Sequence, residues 1–257
     1  MAGAYQTGIY RNVLKECGYE ETAITERLEQ TFETIFYGTE AERFYHEAGD
    51  DMAYLEDTGN HDVRTEGMSY GMMVCVQLNK KAEFDRLWKW VRTYMYIPEG
   101  PCRNYFAWSC STDGTHNAEG PAPDGEEYFA MALFFASARW GDGEGIFAYS
   151  KEAKAILREC IHKGEPGHPG EPMWEPSNHL IKFVTNMDSD PSYHLPHFYE
   201  LFAENVEEED REFWRQAAIA SREYLHKACH KETGLSAEYA DYDGTPHAGH
   251  QEIFGRH

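Results

Sequence analysis

The chain has 257 residues, with 45 acidic side chains against 23 basic ones and a formal charge of −22 at neutral pH. Hydrophobic residues make up 41% and aromatic residues 14%, enough for a packed core, which excludes a mainly disordered chain. So negative a surface is repelled by phosphate backbones and anionic lipid, so nucleic acid and membrane surfaces are excluded as partners and a neutral or cationic partner is favoured.

The first residues, Met-Ala-Gly-Ala-Tyr-Gln-Thr, have no basic segment followed by an apolar one, so no secretory signal is read there and a cytoplasmic location is expected. The first element in chain order is a helix over 22–37. Ile24, Leu28, Phe32, Ile35 and Phe36 share one face of it, and Gly38 stops it. Similar periodicity predicts helices at 65–79, 81–96, 126–140, 150–163, 192–204 and 208–230, seven in all, with Ser150 as the N-cap of the fifth. The helices differ in kind. Residues 66–79 and 126–138 are apolar nearly all round, whereas 81–96 and 208–230 carry charged faces, which predicts an inner and an outer layer. The longest apolar run, Tyr128 to Ala138, is about half of the ~20 residues a membrane span needs, so it reads as a buried helix.

Long loops rich in Gly, Pro, Asp and Asn separate these helices, at 98–125, 141–149, 164–178 and 231–257, and loops of that length are usually functional. No strand pattern, phosphate loop or nucleotide fingerprint stands out. Six cysteines form no CxxC pair, and only Cys102 and Cys110 lie close enough in one loop to raise a disulfide question. Among thirteen histidines, His226 with His230, His194 with His197, and His247 with His250 have ligand-like spacing, but the first pair lacks a zinc-protease Glu and none has a matched second pair. No metal or cofactor is therefore expected.

Three segments have the residues for chemistry on a neutral, hydroxyl-rich substrate. In Asp62-Val-Arg-Thr-Glu-Gly-Met-Ser-Tyr-Gly-Met-Met73, Glu66 opens an apolar helix. Desolvation there would keep its carboxyl protonated, as a general acid requires, while the helix N-terminus and Arg64 favour the ionised form. Gly67, Gly71 and Cys75 make a strip of small residues on that helix, where another helix or a ligand can approach. In Pro121-Ala-Pro-Asp-Gly-Glu-Glu, Asp124 lies in a loop feeding the most apolar helix, either as an N-cap or as an acceptor for substrate hydroxyls. Tyr105, Phe106, Trp108 and Tyr193 are loop aromatics, suited to stacking on sugar rings.

TEGMSYGMM at 65–73 resembles the general-acid segment of glycoside hydrolase family 8, and APDGEEYFAMALFFASARWG at 122–141 resembles that family's signature around its sugar-binding aspartate. DPSYHLPHF and NYFAWSCSTDG are similar to its Pro-Ser-Tyr element and to the loop carrying its stacking tryptophan. DVRTEGMSYGMM, EFDRLWKWVRTYMY and SARWGDGEGIF are similar to the family's reducing-end xylose-releasing exo-oligoxylanases.

The resemblance implies an all-α, incomplete (α/α)6 toroid, with about seven of its twelve helices in one catalytic domain over residues 1–257, the N-terminal two-thirds of the barrel. It implies that Glu66 is the general acid of an inverting hydrolase. Asp124, Trp108, Tyr193 and Arg64 would bind a xylo-oligosaccharide, with no metal. The family's Ser-Asp-x-Tyr-Arg element, which carries the general base, does not occur in the 257 residues, so little hydrolysis is expected of this polypeptide by itself. Two rivals are a non-catalytic oligosaccharide-binding protein and another (α/α) barrel sugar enzyme, such as an epimerase acting through His194 or His197.

Overall fold

A computed structural model describes residues 10–185 and 188–246. It divides into two compact units, one up to His46 and one from Glu47 onward. In the first unit a single turn, α1 (Val13–Glu16), is capped by Asn12, whose side chain accepts the Lys15 N–H at 3.1 Å. It leads to α2 (Glu21–Tyr37), where Phe32 and Phe36, one helical turn apart, are buried and stack with centroids 4.1 Å apart.

The second unit alternates two kinds of helix. Its members are α3 (Thr65–Gln77), α4 (Lys81–Trp90), α5 (Pro123–Trp140), α6 (Tyr149–His162), α7 (Pro196–Asn205) and α8 (Arg211–Ala228). Helix α3 packs on α4 and α5, α5 on α6 and α7, and α7 on α8. Thus α3, α5 and α7 form an inner row, and each outer helix backs the inner one that precedes it. Hydrophobicity is the cause. Helix α5 buries residues on every face from Pro123 to Leu133, while the outer helices keep a charged side in water, with ion pairs such as Lys81–Asp85, Arg158–Glu209 and Arg222–Glu200.

Several boundaries differ from the sequence expectation. Helix α4 stops at Trp90, and one wider π-type turn, Val91–Met95, completes the segment. Helix α5 starts at Pro123, whose missing N–H suits a first helical position, so Asp124 is the second residue of a helix rather than a loop residue or an N-cap. Ser150 is not the cap of α6: its N–H and hydroxyl both bond to Asp142, 2.8 and 2.5 Å away, so a loop carboxylate holds the start of that helix. Residues 192–204 do not form one helix. Pro191–Tyr193 is a separate 3-10 turn capped by Asp190, and α7 begins afresh at Pro196.

Gly71 has a packing reason. A Cβ there would stand 2.0 Å from Leu55 Cδ1 and 3.3 Å from Leu87 Cδ1, so the small strip on α3 admits Leu55 and Leu87, not a ligand. Short pairings, invisible to a periodicity argument, organise the loops. Strand β1 (Met52–Leu55) precedes β2 (Val63–Arg64), which pairs antiparallel with β3 (Ser109–Cys110) in the register Val63 to Cys110 and Arg64 to Ser109. Cys102 and Cys110 are free thiols. Among the described residues no helix is long and apolar enough to cross a membrane, and no cluster of three His, Cys, Asp or Glu side chains could hold a metal. His247 and His250 lie outside the described residues.

Candidate active site

The site is built where α3 and α5 begin side by side. The β2–β3 ladder continues past Arg64 as a hydrogen bond from Thr65 N–H to the Trp108 carbonyl, 3.0 Å, and Trp108 N–H donates to the Gly120 carbonyl, 3.0 Å. The loop that bears the indole is thereby fixed to the residue before Glu66. Gly125 on α5 closes the gap from the other side: a Cβ there would meet Thr65 Cβ at 2.4 Å. Only glycine lets the two helix starts approach so closely.

These contacts frame a cavity of about 350 Å³ whose wall includes Glu66, Trp108, Pro121, Tyr193, Phe183 and Tyr239. Trp108 stands in the wall with the Arg64 guanidinium 5.2 Å from its ring centre. Arg64 Nε is 3.1 Å from Asp57 Oδ2 and 3.0 Å from Asp62 Oδ1, and Ser109 Oγ donates to Asp62 Oδ2 at 2.8 Å. The guanidinium is thus held by two carboxylates while it lies over the indole. On another part of the wall Phe183 has its ring 5.8 Å from that of Tyr193 and 5.0 Å from that of Tyr239.

Of the residues expected from sequence, Glu66, Trp108 and Tyr193 meet in this wall. Arg64 stands behind Trp108. Asp124 is buried and is not one of the wall residues, but its electrostatic neighbours are Glu66 and Tyr193. Tyr105 and Phe106 are not stacking platforms. Both are about 1% exposed; the Tyr105 hydroxyl is 3.1 and 3.0 Å from the Glu159 and Glu171 carbonyls, and Phe106 packs between Trp88 and Phe129. His194 is buried and His197 exposed, and neither lines the cavity. Phe183 and Tyr239 escaped the sequence reading. Both sit on irregular backbone stitched by isolated bridges, Trp174 with Ile181 and Ser189 with Ala240. The signal that singled out Trp108, an aromatic outside helical periodicity, is present at both.

The electrostatics resolve the conflict at Glu66. Burial pushes its carboxyl above the usual carboxylate range; its own backbone amide and Arg64 oppose this, and Asp57 and Asp62 reinforce it. Desolvation wins, so the proton is retained further toward neutrality. Asp124 is pushed well up too, by burial first and by Glu66 second, against hydrogen bonds from Gly125 and Tyr193. Glu66 Oε2 and Asp124 Oδ1 are buried and have no hydrogen-bond partner among the described residues. Glu66 thus brings a partnerless carboxyl oxygen to the aromatic wall, while that of Asp124 is buried outside the wall.

The alternating inner and outer helices are part of an (α/α)6 barrel that the chain covers incompletely, and the cavity lies where the inner helices α3 and α5 begin. The chain belongs to glycosyl hydrolases family 8, whose profile matches residues 35–254. It is 61% identical over 245 residues to the reducing-end xylose-releasing exo-oligoxylanase Rex8A of Paenibacillus barcinonensis, covering 95% of this chain and 64% of that one. With the reducing end xylose-releasing exo-oligoxylanase of Halalkalibacterium halodurans it shares 60% over 246 residues, 95% of this chain and 63% of the relative. It superposes with a TM-score of 0.94 on the structure of Rex8A complexed with xylose, at 60% identity, over 96% of this chain and 66% of that one. The chain spans about 64% of the length of the first of these relatives.

Proposed function

We propose that residues 1–257 belong to a single catalytic (α/α)6 domain, forming the N-terminal two-thirds of its barrel, and that the whole protein releases xylose from the reducing ends of short β-1,4-xylo-oligosaccharides with inversion. The observation that carries this reading is a buried carboxyl with a raised pKa, Glu66, in one cavity wall with Trp108, Tyr193, Phe183 and Tyr239, in a chain about 60% identical to enzymes named for that reaction. A cytoplasmic location, where imported oligomers would be degraded, is part of the same proposal.

Each residue has a physical role in this reading. Glu66 protonates the glycosidic oxygen as the bond breaks, a role supported by its raised pKa and by a carboxyl oxygen that no described residue engages. Trp108 stacks on the apolar face of a xylosyl ring while Arg64 fixes the indole. Asp124 accepts hydroxyl protons from the sugar next to the scissile bond, and Tyr193 orients that carboxyl. Inversion needs a second carboxylate across the ring, roughly 6.5–9.5 Å from the acid, to activate water. Asp124 is poorly suited, since burial beside Glu66 favours its protonated form. The resemblance puts the base in a Ser-Asp-x-Tyr-Arg element that does not occur in these 257 residues, so the polypeptide they form is expected to bind xylotriose while hydrolysing it about 10²- to 10⁴-fold more slowly than the whole enzyme.

The test uses the protein of the full-length gene and xylotriose carrying ¹³C at its reducing-end C1. The label should appear in free xylose, the new xylobiose end should form as the α-anomer, and Glu66→Gln should abolish both. Label retained in xylobiose, a β-anomer, or full activity in Glu66→Gln would overturn the reading. The rival of a pure binding protein predicts xylotriose affinity without turnover in the whole protein.

A further inference from the structure

Next to Tyr193, and unused by the chemistry above, is a buried imidazole with two serine partners. His194 is 4% exposed. Its Nε2 is 2.6 Å from Ser189 Oγ, its Nδ1 is 2.9 Å from Ser221 Oγ on α8, and its ring stacks on Tyr224 with centroids 4.3 Å apart at 25°. Ser189 Oγ is also 2.5 Å from the Ile181 carbonyl.

That last contact decides where the protons are. A carbonyl cannot donate, so the single hydroxyl proton of Ser189 goes to Ile181, and toward His194 the oxygen can only accept. Nε2 must therefore carry a hydrogen. Burial holds the ring neutral, pushing its pKa down to about 3, so Nδ1 is bare and takes the hydroxyl proton of Ser221. One tautomer satisfies Ile181, Ser189 and Ser221 together, with the Tyr224 hydroxyl also beside Ser189 and the Tyr199 hydroxyl beside Ser221.

The arrangement reaches the cavity through the backbone. Tyr199 on α7 has its hydroxyl 3.2 Å from the Tyr193 carbonyl and 3.1 Å from Glu127 Oε2, and it accepts the Leu195 N–H at 3.3 Å. Before Tyr193, Asp190 accepts both the N–H and the hydroxyl of Ser192 at 2.7 Å. The turn that presents Tyr193 is thus fixed at both ends, by Asp190 and by the peptide between Tyr193 and Leu195, with His194 in the middle tied to α8.

We propose that His194 is a positioning residue for the sugar site: as a neutral, single-tautomer imidazole bridging Ser189 and Ser221, it sets the 3-10 turn that holds Tyr193 against Asp124. The role in sugar binding rests on the functional reading above; the proton arrangement and the order of Tyr193 do not. The hydrogen-bond direction matters, since a side chain of similar shape without donor and acceptor would keep the stacking on Tyr224 and lose the bridge.

Three measurements on the 257-residue chain test this. With ¹⁵N-labelled histidine, His194 should show a protonated Nε2 and a bare Nδ1, unchanged between about pH 5 and pH 8. With ¹³Cζ-labelled tyrosine, the Tyr193 signal, assigned by Tyr193→Phe, should be single in wild type and split or shifted in His194→Phe and in Ser221→Ala. Xylotriose affinity by calorimetry should fall about tenfold in His194→Phe and recover largely in His194→Gln, whose amide can still donate toward Ser189.

A His194 ring protonated at Nδ1, or folded His194→Phe and Ser221→Ala variants with an unchanged Tyr193 signal, would overturn the proposal. If His194→Phe does not fold, Ser221→Ala and the wild-type tautomer still decide. Absence of xylotriose binding in wild type, with the two magnetic resonance results as expected, would instead count against the functional reading alone.

Discussion

Gly125 and Thr65 touch where two inner helices begin: a methyl group on Gly125 would stand 2.4 Å from Thr65 Cβ and 2.5 Å from its Oγ1. That contact brings Asp124, next to Gly125, within reach of the charge of Glu66, next to Thr65, which helps push the Asp124 carboxyl up.

Gly125→Ala is the direct probe. Alanine favours a helix by about 1 kcal/mol over glycine, yet the clash at Thr65 forces the two helices apart and overpacking typically costs about 1–3 kcal/mol. Urea unfolding should show a net loss of stability. The double variant Gly125→Ala with Thr65→Gly should regain part of it, and a Gly125→Ala protein as stable as wild type would contradict the close approach.

Arg64 pulls the Glu66 carboxyl down while Asp57 and Asp62 push it up. Arg64→Met should therefore raise the Glu66 pKa and Asp62→Asn should lower it. Carbon-detected titration of the Glu66 carboxyl, assigned with Glu66→Gln, reads both directions. On the proposed role of Glu66 as the acid, the basic limb of the whole protein's rate profile should move the same way.

Glu126 and Glu127 are fully enclosed, and burial pushes both carboxyls well above the ordinary range. In the window above the ordinary carboxylate pKa of about 4.3, the unfolded chain releases protons that the folded chain retains, so unfolding free energy falls as pH rises. Stability should be fully present below that pKa and be lost progressively toward the raised values. Glu126→Gln still accepts the Phe106 N–H, a 3.0 Å bond in the native protein, while removing the ionisation. Denaturant curves from about pH 4 to pH 8 should be flatter for Glu126→Gln with Glu127→Gln than for wild type.

Trp108 and Tyr105, three residues apart, should respond oppositely. Trp108→Ala removes a cavity wall and should weaken xylotriose binding about three- to tenfold in calorimetry. Tyr105→Phe removes only the hydroxyl that donates to the Glu159 and Glu171 carbonyls, so it should cost about 1 kcal/mol of stability and leave sugar affinity unchanged.

Much of the helical plan is legible in the sequence because it rests on patterns longer than two turns. The all-round apolar character of 66–79 and 126–138, against the charged faces of 81–96 and 208–230, is the physical difference between helices enclosed by neighbours and helices that back them. The ladder that sets Thr65 beside Trp108 is only two residues per strand, too short to show alternation. Aromatics outside helix stripes are a signal with mixed yield. Trp108, Tyr193, Phe183 and Tyr239 reach the cavity wall, yet Tyr105 and Phe106, on the same loop as Trp108, turn into the core, since sequence does not say which way an irregular loop faces. The Glu66 conflict needed the structure for the same reason: helix polarity and Arg64 are visible in the sequence, and the depth of burial is not.

The hydrogen bond from Thr65 N–H to the Trp108 carbonyl has a bearing on how such a site can change over generations. Glu66 and Trp108 are tied together through this one backbone bond, so an insertion that reshapes the Trp108 loop also displaces Glu66. Change in the cavity wall is then freer at Phe183 and Tyr239, on segments that carry neither Glu66 nor Asp124.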